Sequence, residues 1–402
     1  MTAQGADAPT PARLVTPAFA ALFAAILAFF TSGGITLPVA ARFVDGPLGA
    51  DAIGVGVGIG AFSIAALLLR PVVGWASDRF GRRPNLLVGG GLTIAALLAH
   101  VLVDTLAAFV AVRALYGVGE AFFFVAGLSA ISDMAPDERR GEAINLGSLA
   151  LYLGLAIGPF VGEAALPALG YAGVWLLAAG MAVLATAATL LVPETSPTIV
   201  DRDPADGPRP RGRLFHPAGV LPGLLILCGT FGMAGFFAFV PLHAPEVGLD
   251  GAGPVLAMYA LIVVVLRIVF AKAPDRIGAP RLSGVALVVT AVGLAVVGLV
   301  PSAVGLVLGT AIFAAGVAFV FPALIALAVA RVDETERGSV VGTSSAFLDL
   351  SFGIAPASLG FIAAATGYSG AFLVGAAVAL AGALVIASRR RSLTVSARTL
   401  AT

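Results

Sequence analysis

Apolar residues fill long uninterrupted segments of this chain, without the alternation expected of a half-buried strand. Six such segments lie in the first half of the sequence, at 16–40, 53–75, 86–103, 107–131, 143–166 and 174–192. Six more follow at 220–242, 253–271, 282–300, 303–330, 340–364 and 371–387. About twenty apolar residues in a helix cross the ~30 Å hydrocarbon core of a bilayer. Because backbone groups find no water there, the pattern predicts twelve transmembrane helices.

Composition supports a membrane protein and argues against several other classes. Hydrophobic residues make up 59% of the chain and charged residues only 11%, far from the balance of a soluble domain. A chain with so little charge has no basic surface for nucleic acid. Its single cysteine, Cys228, and its three histidines show no metal-ligand spacing. We therefore expect no enzyme chemistry, no metal and no cofactor.

Basic residues are concentrated in alternate loops, which orients a membrane protein because positively charged loops stay in the cytoplasm. On the opposite side, the predicted loops carry Arg42 alone. The pattern predicts that both termini and the central linker are cytoplasmic. The resulting division is a tail at 1–15, a six-helix half at 16–192, a linker at 193–217, a six-helix half at 218–388 and a tail at 389–402.

The two halves repeat each other. At a shift of 197 positions, Arg70 falls on Arg267 and Gly170 falls on Gly367. The same shift pairs Asp78 with Asp275, Arg79 with Arg276, Gly81 with Gly278, Gly119 with Gly316 and Pro159 with Pro356. Since six helices return the chain to its starting side, the halves are predicted to be parallel repeats with a cavity at their interface.

A ten-residue loop follows the second segment and reads Gly74-Trp75-Ala76-Ser77-Asp78-Arg79-Phe80-Gly81-Arg82-Arg83. It resembles the cytoplasmic signature of the major facilitator superfamily, and the resemblance extends over about residues 14–390. It implies a gating role for Gly74, Asp78, Arg79, Gly81, Arg82 and Arg83, with an ion-paired latch that breaks as the halves rock. The second half keeps Asp275 and Arg276 but lacks the final arginine pair. The alternative is a basic loop that only sets topology.

Two further patterns of that family lie in the fourth and fifth segments. The stretch from Arg113 to Glu120 is similar to the fourth-helix pattern, and its spacing puts both residues on one helical face. Ionisable groups are costly in a bilayer, so both residues are expected to line a functional pathway. The alternative is a structural role, which for Arg113 means donating hydrogen bonds to backbone carbonyl groups. In the fifth segment, Gly154, Gly158, Pro159 and Gly162 are similar to the family signature associated with antiporters, although Glu163 replaces its last glycine. Small residues four positions apart are expected to let this helix pack closely against a neighbour.

Asp349 is the strongest candidate for proton coupling. At the shift of 197 positions it replaces Tyr152, so it is a charge that only one half carries. Burial favours the neutral form of a carboxyl group, and a group that gains and loses a proton can couple a proton gradient to transport. Glu120 competes for this role, Arg113 is expected to assist in coupling or substrate contact, and a structural hydrogen bond is the alternative for Asp349. Arg70 and Arg267 near helix ends are expected to snorkel toward water at least as readily as to take part in the mechanism.

The resemblance implies an all-α membrane protein with twelve transmembrane helices in two parallel six-helix bundles. It also implies a secondary transporter in a bacterial inner membrane, a monomer that exports a small organic solute in exchange for protons. The proton gradient is then the energy source, and the partners are substrate, protons and lipid. An uptake symporter or facilitator is the near alternative. A receptor or enzyme on the same scaffold is the distant one.

Overall fold

The computed structural model describes residues 14–136, 139–196, 216–270, 276–330, 332 and 337–399. Asp275, most of the predicted linker and most of the N-terminal tail lie outside these ranges. Within them the regular secondary structure is entirely helical. The helices are α1 (Pro17–Asp45), α2 (Ala52–Phe80), α3 (Arg82–Ala99), α4 (Leu106–Asp133), α5 (Arg140–Thr189), α6 (Val220–Glu246), α7 (Gly253–Val269), α8 (Ala279–Leu299), α9 (Ala303–Val329) and α10 (Arg337–Thr399). Short 3-10 turns at His100–Leu102 and Pro217–Gly219 complete this part of the chain.

These helices have the length and composition of membrane spans. In the described part of the chain, nine helical stretches are long and apolar enough to cross a bilayer, and α7, with 17 residues, is slightly shorter. Polar side chains begin several of them: Thr16, Asp51, Thr105 and Ser302 each accept a hydrogen bond from a backbone N–H in the first turn. Such caps satisfy donors that the helix itself leaves unpaired.

The two longest helices each contain a break at a glycine. Gly170 divides α5 with a φ of 64°, and Gly367 divides α10 with a φ of 77°. This backbone conformation is open to glycine and strained for residues with a Cβ atom. Both breaks fall inside the gaps that the hydrophobic pattern predicts, and the two glycines are related by the 197-position shift. The last helix continues to Thr399, well past the predicted end of its apolar segment at 387.

Close helix packing uses the predicted small residues. Gly158 of α5 faces the backbone of Gly34 in α1, and Gly154 and Gly162 face the α1 backbone on either side. A Cβ atom at any of these three positions would overlap backbone atoms, so the glycines set how closely α1 and α5 approach.

A second close approach joins the two halves. Gly56 and Gly60 of α2 face the carbonyl groups of Pro356 and Gly353 in α10, and Gly360 faces Ala52. These contacts lie near the start of α2, away from the Gly74–Arg83 loop, and in the part of α10 that precedes the break at Gly367. The interface is therefore closed at the end away from the loop.

Candidate functional site

A cavity of about 210 Å³ lies at the interface of the halves, on the side of the glycine contact that is nearer the loop. It is lined by residues of α1, α2, α4, α5, α9 and α10, so both halves contribute to it. Most of its wall is apolar, and its aromatic members are Phe29, Phe30, Phe62, Tyr116, Phe124, Tyr152, Phe321 and Phe352. Four charged side chains reach it: Arg70, Arg113, Glu120 and Asp349. All three residues predicted for coupling or substrate contact therefore line one cavity.

Asp349 forms an ion pair with Arg70 across the interface. The Arg70 Nη1 atom lies 2.7 Å from Asp349 Oδ2, and Nη2 donates a hydrogen bond of 2.8 Å to Oδ1. The Arg70 guanidinium also lies 4.5 Å from the centre of the Phe124 ring. The two side chains are 16% and 18% exposed, so water screens the pair only partly. The geometry joins α2 of one half to α10 of the other.

The repeat-related contact has different chemistry. Arg267 of α7 lies 3.9 Å from the centre of the Tyr152 ring in α5, and it donates a hydrogen bond of 3.2 Å to the carbonyl oxygen of Ala318. Arg267 corresponds to Arg70 and Tyr152 corresponds to Asp349. Each half therefore places one arginine against the other half, but only Arg70 meets a carboxylate there.

Neither the pairing of Arg70 with Asp349 nor that of Arg267 with Tyr152 was predicted from the sequence. The sequence interpretation treated both arginines as candidates for snorkelling, because their nearness to helix ends suggested contact with water. The signal was present in the 197-position shift, which relates Arg70 to Arg267 and Asp349 to Tyr152 at once. Two pairs related by one shift are the pattern expected of a contact that the repeat reproduces.

Arg113 lies deep in the cavity and is only 2% exposed. It donates a hydrogen bond of 3.2 Å to Thr36 Oγ1 in α1 and lies 5.1 Å and 5.6 Å from the ring centres of Phe62 and Tyr116. Its Nε atom is buried without a hydrogen-bond partner in the described part of the chain, and the Tyr116 hydroxyl lies beside the Ser32 and Thr36 hydroxyls. A buried guanidinium normally pairs with an acid, so this environment is unusual.

Glu120 lies on α4 between these two charged centres. It is 7% exposed and lines the same cavity. At a helical rise of ~1.5 Å per residue, it is about 10 Å from Arg113 along the helix axis. Asp133, at the loop end of α4, is about 30 Å from Arg113 by the same measure. Arg113 and Glu120 therefore lie at different depths of the cavity, and Asp133 is not among its lining residues.

The predicted ten-residue loop is wrong in extent, because Gly74 to Phe80 form the last turns of α2, Gly81 is the turn and Arg82 begins α3. The name loop is kept for this segment, which is ordered around Arg82. This residue is 9% exposed, and its guanidinium contacts Asp78 Oδ1 at 2.7 Å, Ser77 Oγ at 3.0 Å and Asp133 Oδ2 at 3.0 Å. The Glu194 carboxylate accepts hydrogen bonds from the backbone N–H groups of Arg82 and Arg83. Gly81 adopts a φ of 99°, which explains the glycine at this turn. These contacts of Arg82 all join elements of the first half.

Arg79 and Gly74 make fewer contacts in this segment than Arg82 does. Arg79 lies over the rings of Trp75 and Phe80, at 5.5 Å and 5.7 Å from their centres. A Cβ atom at Gly74 would meet open space, so close packing does not explain this glycine. In the second half, Arg276 is exposed just before α8.

Glu163 departs from the fifth-helix pattern and has a partner that explains it. Its Oε1 atom lies 3.0 Å from Arg42 Nε. Arg42 is the basic residue that the topology places alone on the far side, and it lies near the end of α1. This ion pair joins α1 to α5 at the end of the bundle away from the loop. Gly154, Gly158 and Gly162 serve the same pair of helices through packing.

The sequence matches a known protein family along most of its length. It matches the Major Facilitator Superfamily over residues 21–273 and 244–399. The chain belongs to this superfamily. A curated relative, an uncharacterized MFS-type transporter of Salmonella typhimurium (strain LT2), is 30% identical over 373 residues, covering 90% of this chain and 94% of the relative. An uncharacterized MFS-type transporter of Burkholderia mallei (strain SAVP1) is 28% identical over 362 residues, covering 87% and 86% of the two chains.

Solved structures of the superfamily share the fold at low identity. The human organic anion transporter MFSD10 is 17% identical with a TM-score of 0.70, covering 92% of this chain and 99% of that chain. A POT family transporter in complex with 5-aminolevulinic acid is 13% identical with a TM-score of 0.77, covering 94% and 96%. Membership of the superfamily and the curated transporter relatives make this chain a membrane transporter and not an enzyme.

Proposed function

We propose that this MFS transporter exports a small organic solute in exchange for protons. In this proposal α5 and α10 each cross the membrane twice, on either side of Gly170 and Gly367, which gives twelve spans. Both termini and the Gly74–Arg83 loop face the cytoplasm of a bacterium, and the protein works as a monomer in the inner membrane. The Salmonella and Burkholderia relatives support the bacterial setting.

The ion pair between Arg70 and Asp349 carries the proposal. It crosses the interface inside the cavity, at 2.7 Å and 2.8 Å. Protonation of Asp349 removes the charge that holds Arg70, so a proton changes the interaction between the halves. A proton gradient thereby biases which arrangement of the halves is populated, which alternating access requires.

The glycine contact between α2 and α10 supports a particular arrangement of the halves. With the loop in the cytoplasm, this contact closes the outer side, and the cavity lies nearer the cytoplasm. In this arrangement the transporter faces inward. The contacts of Arg82 with Asp78 and Asp133 then belong to the inward-facing state, and the latch that we propose for the loop would form against the second half when the cavity closes to the cytoplasm.

The proposal is tested in proteoliposomes with an imposed pH gradient, with a substrate identified by a thermal-shift screen. Asp349→Asn should reduce gradient-driven transport to the level of protein-free liposomes while the purified protein remains monodisperse. Wild-type transport by this variant would reject Asp349 as the proton carrier. Loss of coupling in Glu120→Gln together with normal coupling in Asp349→Asn would assign the carrier role to Glu120.

The direction of transport is decided by the same preparation. Export with proton exchange predicts that substrate moves against the direction of the protons. Accumulation in the direction of the protons would instead establish an uptake symporter, and transport without any dependence on the gradient would establish a facilitator.

A further inference from the structure

We infer that the substrate is an amphipathic organic anion, a carboxylate on an apolar body, and that Arg113 binds its carboxylate. The inference rests on the proposed transport function for its biological meaning, but it concerns binding and can be tested without transport. It is carried by the charges and unpartnered donors at the deep end of the cavity.

Charge in the cavity is unevenly compensated. Asp349 is held by Arg70 through two short contacts, so that carboxylate is already neutralised by an arginine. The remaining acid, Glu120, is separated from Arg113 by two helical turns, about 10 Å along α4. In the described part of the chain no carboxylate contacts Arg113. A buried guanidinium without an acid is a site for an anion, because an isolated buried charge is unfavourable until it is paired.

Hydrogen-bond capacity at the deep end is also donor-rich. Arg113 Nε has no partner in the described residues, and the Tyr116 hydroxyl has the Ser32 and Thr36 hydroxyls beside it but no carboxylate. The nearby Thr36 hydroxyl donates to the carbonyl oxygen of Gly33 at 2.8 Å and accepts from Arg113, so it has no proton left to offer a base. The Ser32 hydroxyl likewise donates to the Ala178 carbonyl oxygen at 2.7 Å. Unused donors and few acceptors fit carboxylate oxygens, which only accept hydrogen bonds.

The cavity borders the residues that carry these donors. Gly33, Thr36, Arg113 and Tyr116 all line the cavity, and a Cβ atom at Gly33 would approach the Tyr116 hydroxyl to 3.3 Å. A side chain at Gly33 would therefore crowd that hydroxyl. The rest of the wall is mainly aromatic and aliphatic, which suits an apolar body rather than a sugar.

An alternative explanation is that Arg113 is satisfied by its aromatic neighbours. Phe62 and Tyr116 lie within cation–π range, and such contacts contribute to the stability of a guanidinium. In that case the Tyr116 hydroxyl has no role at Arg113, whereas in our inference it donates a hydrogen bond to the ligand carboxylate. Tyr116→Phe therefore separates the two explanations while keeping the ring.

The binding experiment uses purified full-length protein in detergent and isothermal titration with three probes of one shape: phenylbutyrate, phenylbutyramide and phenylbutylamine. We expect the anion to bind more tightly than the amide and the amine. Arg113→Gln should weaken anion binding about ten- to hundredfold, because hydrogen bonds to charged groups are being lost. Tyr116→Phe should weaken it about three- to tenfold while the ligand-free protein remains folded and monodisperse.

Two further variants serve as matched tests. Glu120→Gln removes the remaining acid and its repulsion of an anion, so it should tighten anion binding, the opposite direction to Arg113→Gln. Arg281→Gln removes an exposed arginine of α8 and should bind all three probes as the wild type does. Since Arg113→Gln removes a buried group and its misfolding would leave binding unreadable, Arg113→Lys is included as a variant that keeps the charge and should bind better than the glutamine variant.

Preference for the amine, or wild-type anion affinity in both Arg113→Gln and Tyr116→Phe, would overturn the inference. The two proposals fail separately. Selective anion binding without gradient-driven transport would reject proton exchange and leave the anion site standing. Proton-coupled transport of an amine with no affinity for phenylbutyrate would do the reverse.

Discussion

Arg70 and Arg267 occupy equivalent positions in the two halves, but Arg70 forms an ion pair and Arg267 forms a cation–π contact. Each arginine extends from the second or corresponding helix of its half to a helix of the other half, and the repeat relates the two arginines and their two partners. Arg70 meets the Asp349 carboxylate at 2.7 Å, whereas Arg267 lies 3.9 Å from the centre of the Tyr152 ring. A carboxylate loses its charge when it binds a proton, whereas a phenol is ordinarily neutral at physiological pH. The repeat therefore reproduces the position of the contact, and only the contact at Asp349 contains a carboxylate that a proton can neutralise.

This difference also predicts different energies. An ion pair in a partly dry cavity costs several kcal/mol to disrupt by removal of one partner, because the other charge is left behind. A cation–π contact is worth about 0.5–2 kcal/mol, and a tyrosine without its arginine remains neutral. The contact between Arg70 and Asp349 is thus the more costly one to break and the only one of the two that a proton weakens.

The largest effect is expected when the two contacts are made alike. Asp349→Tyr gives both arginines an aromatic partner and removes the titratable group. We expect accumulation driven by a pH gradient to disappear, while exchange of labelled for unlabelled substrate continues in proteoliposomes. Asp349→Glu is the control, since it keeps a carboxyl group and should retain part of the coupling. Gradient-driven accumulation by the tyrosine variant would show that coupling does not depend on this difference between the halves.

The second effect concerns stability. Arg70→Gln leaves Asp349 and Glu120 in one cavity without their nearest cation, and it should destabilise the protein by about 2–4 kcal/mol. Arg267→Gln leaves no charge unpaired at Tyr152, and it should cost about 1–2 kcal/mol from the lost ring contact and the hydrogen bond to Ala318.

Thermal unfolding in detergent compares these variants. A thiol-reactive dye reports when Cys228 becomes fully accessible, and Cys228 is the one cysteine of the chain. Arg281→Gln at the exposed start of α8 controls for loss of a positive charge. Equal destabilisation by Arg70→Gln and Arg267→Gln would contradict the expected difference in energy between the two contacts.

The sequence predicted most of the scaffold, because membrane spans depend on composition more than on precise contacts. The apolar segments match the observed helices to within a few residues at most ends, and the gaps predicted near 170 and 367 contain the breaks at Gly170 and Gly367. The helix-five glycines were correctly expected to allow close packing, since Gly158 faces Gly34 directly. Local chemistry was sufficient for these features.

Pairing across the interface was harder to predict because it depends on how two halves meet. Asp349 was recognised as a lone charge, but Arg70, 279 positions away, was not recognised as its partner. Glu163 was noted only as a departure from a family pattern, and Arg42 only as a topological exception, yet they form an ion pair. In each case the charge itself was visible in the sequence, and its partner lay on a helix whose position the sequence does not specify.

The smallest effect separates the ring of Tyr152 from its hydroxyl. A cation–π contact depends on the face of the ring, which phenylalanine also provides, so Tyr152→Phe should change stability by less than about 0.5 kcal/mol. Tyr152→Leu removes the aromatic face and should cost about 1 kcal/mol in the same unfolding assay. In the Arg267→Gln background that cost should largely vanish, because the cation that the ring faces is gone. If instead Tyr152→Phe were as damaging as Tyr152→Leu, the hydroxyl would be the essential group, and the two contacts would be more alike than their geometry indicates.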